Sequence, residues 1–335
     1  LRMVTGKIEY SEMVSLIQLQ DALRQKYSEE MAMEQMRQFC LDSTSKEIQK
    51  KGMEFLFING YLRELRSLIE KNKQSFDPSN RKWAEVYKIQ LQLREGNYKP
   101  IEVLERINQI ETNEPELLCL LEFAKVNIQF NMHSYHDLGN AICRYEELLP
   151  QIDDYFLVEN FKIRYHLVTL TYTLMQNEII MTRKHGYKLL NLTCNPEIQV
   201  ETHIKLGESY TFDSYSQGMF HLRKALKIAK DNDMTSKIEF IEQTKIPFLA
   251  AYFNKTDNIT TTNKSEQAHL EIMKGNYKKA IEILEQVPIN TPFEKYYLGK
   301  AKQDKSLLIQ SYKDFVYKRN DNFFCRLPLH ELKIL

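Results

Sequence analysis

The chain has 335 residues, 43% of them hydrophobic and 27% charged, with 46 Lys and Arg against 45 Asp and Glu and a formal net charge of +1. That length exceeds one ordinary globular domain, so two domains or one elongated repeat array is expected. The balanced charge excludes a globally basic, non-specific nucleic-acid binder and leaves room only for a local patch; ten Gly and nine Pro are too few for the many turns of an all-β fold.

Cys40, Cys119, Cys143, Cys194 and Cys325 are odd in number, and no two stand at metal-ligand spacing. Reduced thiols of a cytoplasmic protein are the simple reading. No apolar run reaches the roughly 18 residues of a membrane helix, and no signal peptide opens the chain, so no membrane partner is expected. The first residue is Leu1 rather than Met, which suggests an N-terminus cut back from a longer protein.

In chain order the apolar spacing is helical. Val86, Ile89 and Leu93 precede Gly96, and Leu117, Leu121, Ala124 and Ile128 come next at steps of three and four, which is helix periodicity and not the alternation of a strand. This pattern predicts about seventeen or eighteen helices of roughly ten to twenty residues. Breaks fall at Asp42–Ser45, Phe76–Arg81, Asn97–Pro100, Asn113–Pro115, Pro150–Asp154, Asn195–Pro196, Asp231–Asp233, Asn254–Asn263 and Asn290–Pro292. Residues 255–264, KTDNITTTNK, carry the weakest order signal and predict a mobile loop.

An internal repeat sets the architecture. Residues 96–107 read GNYKPIEVLERI and residues 275–287 read GNYKKAIEILEQV. In the second copy Ala268, Gly275, Tyr277, Ala280, Leu284 and Pro292 keep the rhythm of a tetratricopeptide-like unit, in which small residues let two helices approach closely. A degenerate third copy runs from Leu206-Gly207 and Tyr210 through Ala225 and Ala229. The predicted fold class is therefore all-α, a tetratricopeptide-like right-handed superhelix of stacked helix pairs with a concave inner face.

Catalytic constellations are missing. The sequence holds no GxSxG, GxxxxGK[ST], HExxH, CxxC or GxGxxG string. His133 and His136, with Asp137, read as a solvated turn rather than a metal site. His166 and His203 sit on helices, where a hydrogen-bonded structural role is favoured over a pH-sensing one. The Lys50-Lys51 and Arg81-Lys82 pairs read as solvated helix faces. No enzyme, cofactor or metal is expected, and a long ridged groove suits an extended peptide or a partner helix.

Local strings go further. EVYKIQLQLREG (85–96), MRQFCLDSTSKEIQKKGMEF (36–55), SEQAHLEIMKGNYKKAIEILEQV (265–287) and above all RNDNFFCRLPLHEL (319–332) resemble segments of the arbitrium receptors, and the resemblance runs in order along essentially the whole chain. It implies a homodimeric phage transcription regulator. Such a receptor has an N-terminal helix-turn-helix segment for promoter DNA and a repeat array that binds a secreted peptide of about six residues. Peptide binding blocks promoter activation and turns the choice from lysis to lysogeny. The implied organisation is residues 1–30 as a remnant of, or linker from, the DNA-binding segment, with Tyr10 to Leu23 as its trace. Residues 31–254 form the repeat array, 255–264 the mobile loop, and 265–335 the last repeats and dimerisation end. Relatives carry a further apolar helix beyond the position of Leu335.

The resemblance also implies groove residues. Asp321 matches an acidic position suited to a peptide cation, and Gln267 matches a nearby amide. Elsewhere this chain departs, with Thr171 and Met175 for two Asn, Glu197 for an Arg and Glu208 for an Asn. Glu197, Glu208 and Asp321 together would favour a cationic peptide. Two of them have an ordinary reading beside that one: Glu197 as a first-turn acid after Pro196, Asp321 as a first-turn acid or a helix cap. Arg164 and Lys205 are the candidates to hold the peptide's terminal carboxylate. The competing reading is a Rap-like helical-repeat regulator that binds another protein without touching DNA, to which Glu29, Glu30 and Gln38 would contribute in a short N-terminal bundle.

Overall fold

The computed structural model describes residues 2–4, 7–9, 15–96 and 98–335. A short antiparallel pair, Arg2–Val4 with Lys7–Glu9 in the register Arg2 to Glu9, precedes an otherwise helical chain. Of the expected helix-turn-helix trace, residues 10–14 lie outside the described residues and Leu16 to Leu23 fall in the first helix; Asn97 of the first repeat string also lies outside.

The described residues form nineteen α-helices: α1 (Leu16–Lys26), α2 (Glu29–Asp42), α3 (Lys46–Ile58), α4 (Leu62–Lys73), α5 (Pro78–Glu95), α6 (Pro100–Asn108), α7 (Pro115–Asn131), α8 (Leu138–Leu148), α9 (Tyr155–Met175), α10 (Ile179–Leu192), α11 (Pro196–Ser209), α12 (Tyr215–Asp231), α13 (Thr235–Phe240), α14 (Ile246–Tyr252), α15 (Lys264–Met273), α16 (Tyr277–Leu284), α17 (Pro292–Lys302), α18 (Lys305–Lys313) and α19 (Arg326–Ile334). Their starts are chemically marked. Ser15, Ser28, Ser45, Asp77, Asn195, Ser214, Asn263, Thr291 and Asp304 each accept a hydrogen bond from the first-turn amides, which satisfies donors a helix leaves open. Gly96 (φ 73°) and Gly275 (φ 80°) take the left-handed conformation after α5 and α15, so the GNY strings are helix stops that lead into the return helix. Two π-helical segments interrupt the pattern, Ile241–Lys245 between α13 and α14 and Asp314–Lys318 after α18. Among the described residues no helix is long and apolar enough to cross a membrane.

Two compact units emerge: residues 1–128 with 140–164, and residues 129–139 with 165–335. The first buries Trp83, Tyr87, Phe55, Phe161 and Tyr145. Its core also holds an ion pair. Arg164 Nε donates to Glu54 Oε1 at 3.0 Å, and its Nη2 to Glu54 Oε2, which also accepts the Tyr87 hydroxyl at 2.6 Å. Removing Glu54 from water is tolerable because every polar contact it makes is with a donor.

The second unit has a large apolar cluster that includes Phe248, Tyr297, Phe315, Phe323 and Phe324, many of whose rings meet edge to face. Within the stretch 255–264, expected to be a mobile loop, Thr261 and Thr262 are bonded to Gln243. Thr261 Oγ1 donates to the Gln243 carbonyl at 2.6 Å, Thr262 N to Gln243 Oε1 at 2.7 Å, and Gln267 Nε2 to the Thr261 carbonyl at 2.7 Å.

Helices α11 and α12 show why small residues matter. A Cβ on Gly207 would fall 2.9 Å from Leu222 Cγ and Cδ2 and 3.2 Å from the Gly218 carbonyl. Gly207→Ala is expected to cost about 1–3 kcal/mol by overpacking, read as a lower urea midpoint at unchanged slope. An unchanged midpoint would mean that Leu222 moves aside freely and that the close approach is not needed.

Candidate functional site

The second unit gathers a polar cluster at the end of α11. Glu208, 7% exposed, lies between two ammonium groups: Lys205 Nζ at 3.0 Å from Oε2 and Lys245 Nζ at 2.6 Å from Oε1. Lys205 is one turn back on the same helix, and Lys245 is the last residue of the first π-segment. Burial by itself would push the Glu208 carboxyl up, but the two ammoniums outweigh it and hold the group at about 2. Tyr135 feels Lys205, Asp321, Glu208 and Arg319 together, and burial raises its hydroxyl. His133 is pulled down by burial and by Arg319, Lys205 and Lys245.

Asp321 is the other carboxylate of this group. It is 3% exposed. Its Oδ1 accepts from Phe323 N at 3.1 Å and Phe324 N at 2.8 Å, so the capping reading describes its geometry. Oδ2 has no hydrogen-bond partner among the described residues. Burial pushes the carboxyl up to about 7, against the pull of the two amides. The segment around it is tied down at both ends. Asn322 N donates to the Met175 carbonyl at 2.7 Å, Asn322 Nδ2 to Gln176 Oε1 at 3.0 Å, and Tyr135 N to the Arg319 carbonyl at 3.3 Å.

The expected site residues thus divide. Lys205, Glu208 and Asp321 come together. Glu197 lies in the first turn of α11 beside the Asn195 cap, roughly 16 Å along the helix from Glu208 at 1.5 Å per residue. The expected acidic triad of Glu197, Glu208 and Asp321 is therefore not formed, and Glu208 is overcompensated by two cations. Thr171 is buried with its hydroxyl donating back to the Leu167 carbonyl at 3.3 Å. Met175 is a core side chain that contributes only its carbonyl. Gln267 holds the 261 loop. Arg164, expected as an anchor for a carboxylate, already holds that of Glu54, within the first unit. Lys245, Tyr135 and Arg319 were not singled out in the sequence. Only Arg319, inside the RNDNFF string, carried a signal there.

Two histidine pairs flank these helices. Nδ1 of His166 meets Nδ1 of His185 at 3.0 Å, and Nδ1 of His203 meets Nδ1 of His221 at 2.9 Å. Burial pulls both His203 and His221 down to about 4, so they are neutral at pH 7 and bond as one donor and one acceptor. Their near-equal separations along the chain were a repeat signal available in the sequence. Among the described residues no group of three or more His, Cys, Asp or Glu is placed to hold a metal ion.

This geometry belongs to a chain with clear kin. The family model described as "AimR transcriptional regulator-like" matches residues 32–334. The chain belongs to that family. It is a family of transcriptional regulators, not of enzymes. The chain is 25% identical over 344 residues to the AimR transcriptional regulator of Bacillus phage SPbeta, covering 97% of this chain and 84% of that protein. It is 21% identical over 305 residues to the AimR transcriptional regulator of Bacillus phage phi3T, covering 86% of this chain and 78% of the relative. A solved structure described as "Structure of phAimR-Ligand" superposes with a TM-score of 0.80 at 20% identity, covering 96% of this chain and 98% of its own, so the helical-repeat fold is shared across the length.

Glu208→Gln is expected to destabilise the chain by about 1–3 kcal/mol, less than a fully buried pair would cost, because it leaves two partly buried ammoniums without their counter-charge. The sign comes from the depressed value. The carboxylate's contribution is present above its unfolded value of about 4.3 and is lost as pH falls toward about 2. Urea unfolding at pH 7 and pH 3 should therefore show a large difference from the parent at neutrality and a smaller one in acid. Equal differences at both pH values would rule out the ion pairs as the cause.

Proposed function

We propose that this chain is a phage transcription regulator whose activity is set by a short signalling peptide of about six residues, bound against the Asp321, Glu208 and Lys205 cluster. The observation that carries the reading is Asp321: a buried carboxylate with one oxygen spent on capping and the other unfilled, poised near neutrality. A peptide cation placed there completes the carboxylate's bonding and draws its proton off. The ligand named for the phAimR structure supports a ligand for this fold.

In this reading the peptide binds one conformation better than another, and only that difference in affinity moves the regulator. The regulated target is promoter DNA read by a homodimer, as in two-fold symmetric regulators. Peptide binding withdraws promoter activation and so favours lysogeny over lysis in the cytoplasm of the bacterial host. Charge discrimination falls to Asp321, since Glu208 is already neutralised by Lys205 and Lys245.

Calorimetric titration with hexapeptides carrying one or two cations tests the reading. The expected result is micromolar or tighter binding of a cationic peptide that strengthens from pH 6 to pH 8. The sign is set by Asp321: below about 7 the carboxyl is protonated and must release a proton to pair with the cation. Asp321→Asn should weaken binding by about ten- to a hundredfold, the equivalent of one charge-assisted hydrogen bond, and flatten the pH dependence. Binding that is independent of pH, or unchanged in Asp321→Asn, would place the peptide elsewhere.

A further inference from the structure

A cavity in the 165–335 unit has a lining that includes none of Lys205, Glu208, Lys245 or Asp321. Its volume is about 260 Å³, and its walls include Phe212, Tyr252, Met273, Tyr296, Leu327 and Arg326. That is near the lower end of ligand-sized pockets, about 300 Å³. It matches an occupant the size of one large side chain.

One buried polar atom of the wall, on His269, is left without a partner, and two tyrosine hydroxyls lie in the same wall. Tyr296 is 2% exposed, yet its hydroxyl makes no hydrogen bond among the described residues, and the same holds for the hydroxyl of the half-buried Tyr252. His269, also in the wall and 1% exposed, has Nδ1 at 3.4 Å from Glu266 Oε2 and Nε2 without any partner. Buried polar groups are normally paired, and those that are not call for an explanation. Here the buried atom without a partner is His269 Nε2, and Tyr296 and Tyr252 share its cavity wall.

The charges give the ligand its sign. Lys300 and Arg326 face one carboxylate, Glu331. Lys300 Nζ is 2.6 Å from Glu331 Oε1 and so is neutralised. Arg326 lies 4.1 Å over the Phe212 ring centroid and gives only Nη1, at 3.2 Å, to Asn177 Oδ1. One guanidinium charge therefore remains, fixed in place by stacking, beside hydroxyls that can donate. A planar guanidinium with free N–H groups suits a carboxylate, and the aromatic walls suit an apolar body.

We propose that this cavity binds a small carboxylate with an apolar body, the acid meeting Arg326 and the Tyr296 hydroxyl and the body lying between Phe212, Tyr252 and Met273. Two sources share this chemistry: the C-terminal residue of a peptide, or a free aromatic acid. The former also brings an amide N–H that His269 Nε2 can accept. The inference does not rest on the peptide reading of the Asp321 cluster, because the cavity contains none of that cluster's residues.

The test is titration of the full chain, by heat and by NMR chemical shift, with phenylacetate, its neutral counterpart phenylacetamide, and N-acetylphenylalanine. The expected result is saturable binding of both acids with phenylacetamide at least tenfold weaker. Tyr296→Phe, which removes a single oxygen, should weaken the acids by about tenfold, the size of one hydrogen bond to a charged group. Met273→Trp, which fills the cavity, should abolish binding while circular dichroism shows the helices intact. Tighter binding of N-acetylphenylalanine than of phenylacetate supports the site and names a peptide C-terminus as its source. Equal or weaker binding supports the site and names a free acid. The proposal is overturned if neither acid binds, if phenylacetamide binds as well as phenylacetate, or if both variants bind as the parent does.

Discussion

Backbone groups taken out of water must find partners, and the 165–335 unit is organised around how residues 319–326 find theirs. That segment lies between a π-turn and α19, so no regular helix satisfies it. The amides of Asn320 and Asp321 return to the π-segment, at the Val316 and Phe315 carbonyls, that of Asn322 goes to the end of α9 at the Met175 carbonyl, and those of Phe323 and Phe324 go to Asp321 Oδ1, while the Arg319 carbonyl accepts from Tyr135. Side chains repeat the pattern: Asn322 bonds Gln176 and Arg326 bonds Asn177. These ties join parts of the chain nearly 150 residues apart. They also leave a carboxylate buried with one oxygen uncommitted, which an apolar environment would otherwise oppose.

The two π-segments have the same consequence in different places. A π-turn adds one residue to the helical repeat and re-aims the side chains after it. At 241–245 it delivers Lys245 to Glu208 and gives Gln243 to the 261 loop. At 314–318 it brings the chain to Arg319 and Asp321. The local cost of poorer helix geometry is offset by ion pairs and caps.

The repeats were legible because packing leaves a mark in composition. GNY strings stop a helix and start its return, and Gly207 faces Gly218 where two backbones nearly touch. The apolar spacing of α5 and α7 likewise reflects which face is buried. The candidate site was legible only at Asp321, Glu208 and Lys205. Arg164 carries the right charge but is spent on Glu54, and Glu197 stands in the first turn of α11, away from Glu208. Nothing in a linear string distinguishes a spent charge from a free one. The bonds of Thr261 and Thr262 were hidden for a related reason, since their partner, Gln243, is nearly twenty residues away.

The part of this protein that the residues determined alone is local: helix periodicity, cap chemistry, glycine stops, the repeat and the kinship it signals. These depend on neighbours within a turn or two. Tertiary structure alone decided which charges cancel, which oxygen of Asp321 stays open, and which hydroxyls line a cavity without a partner. Those outcomes depend on burial and on groups brought together from distant repeats, where desolvation multiplies the strength of each contact and the cost of each one missing.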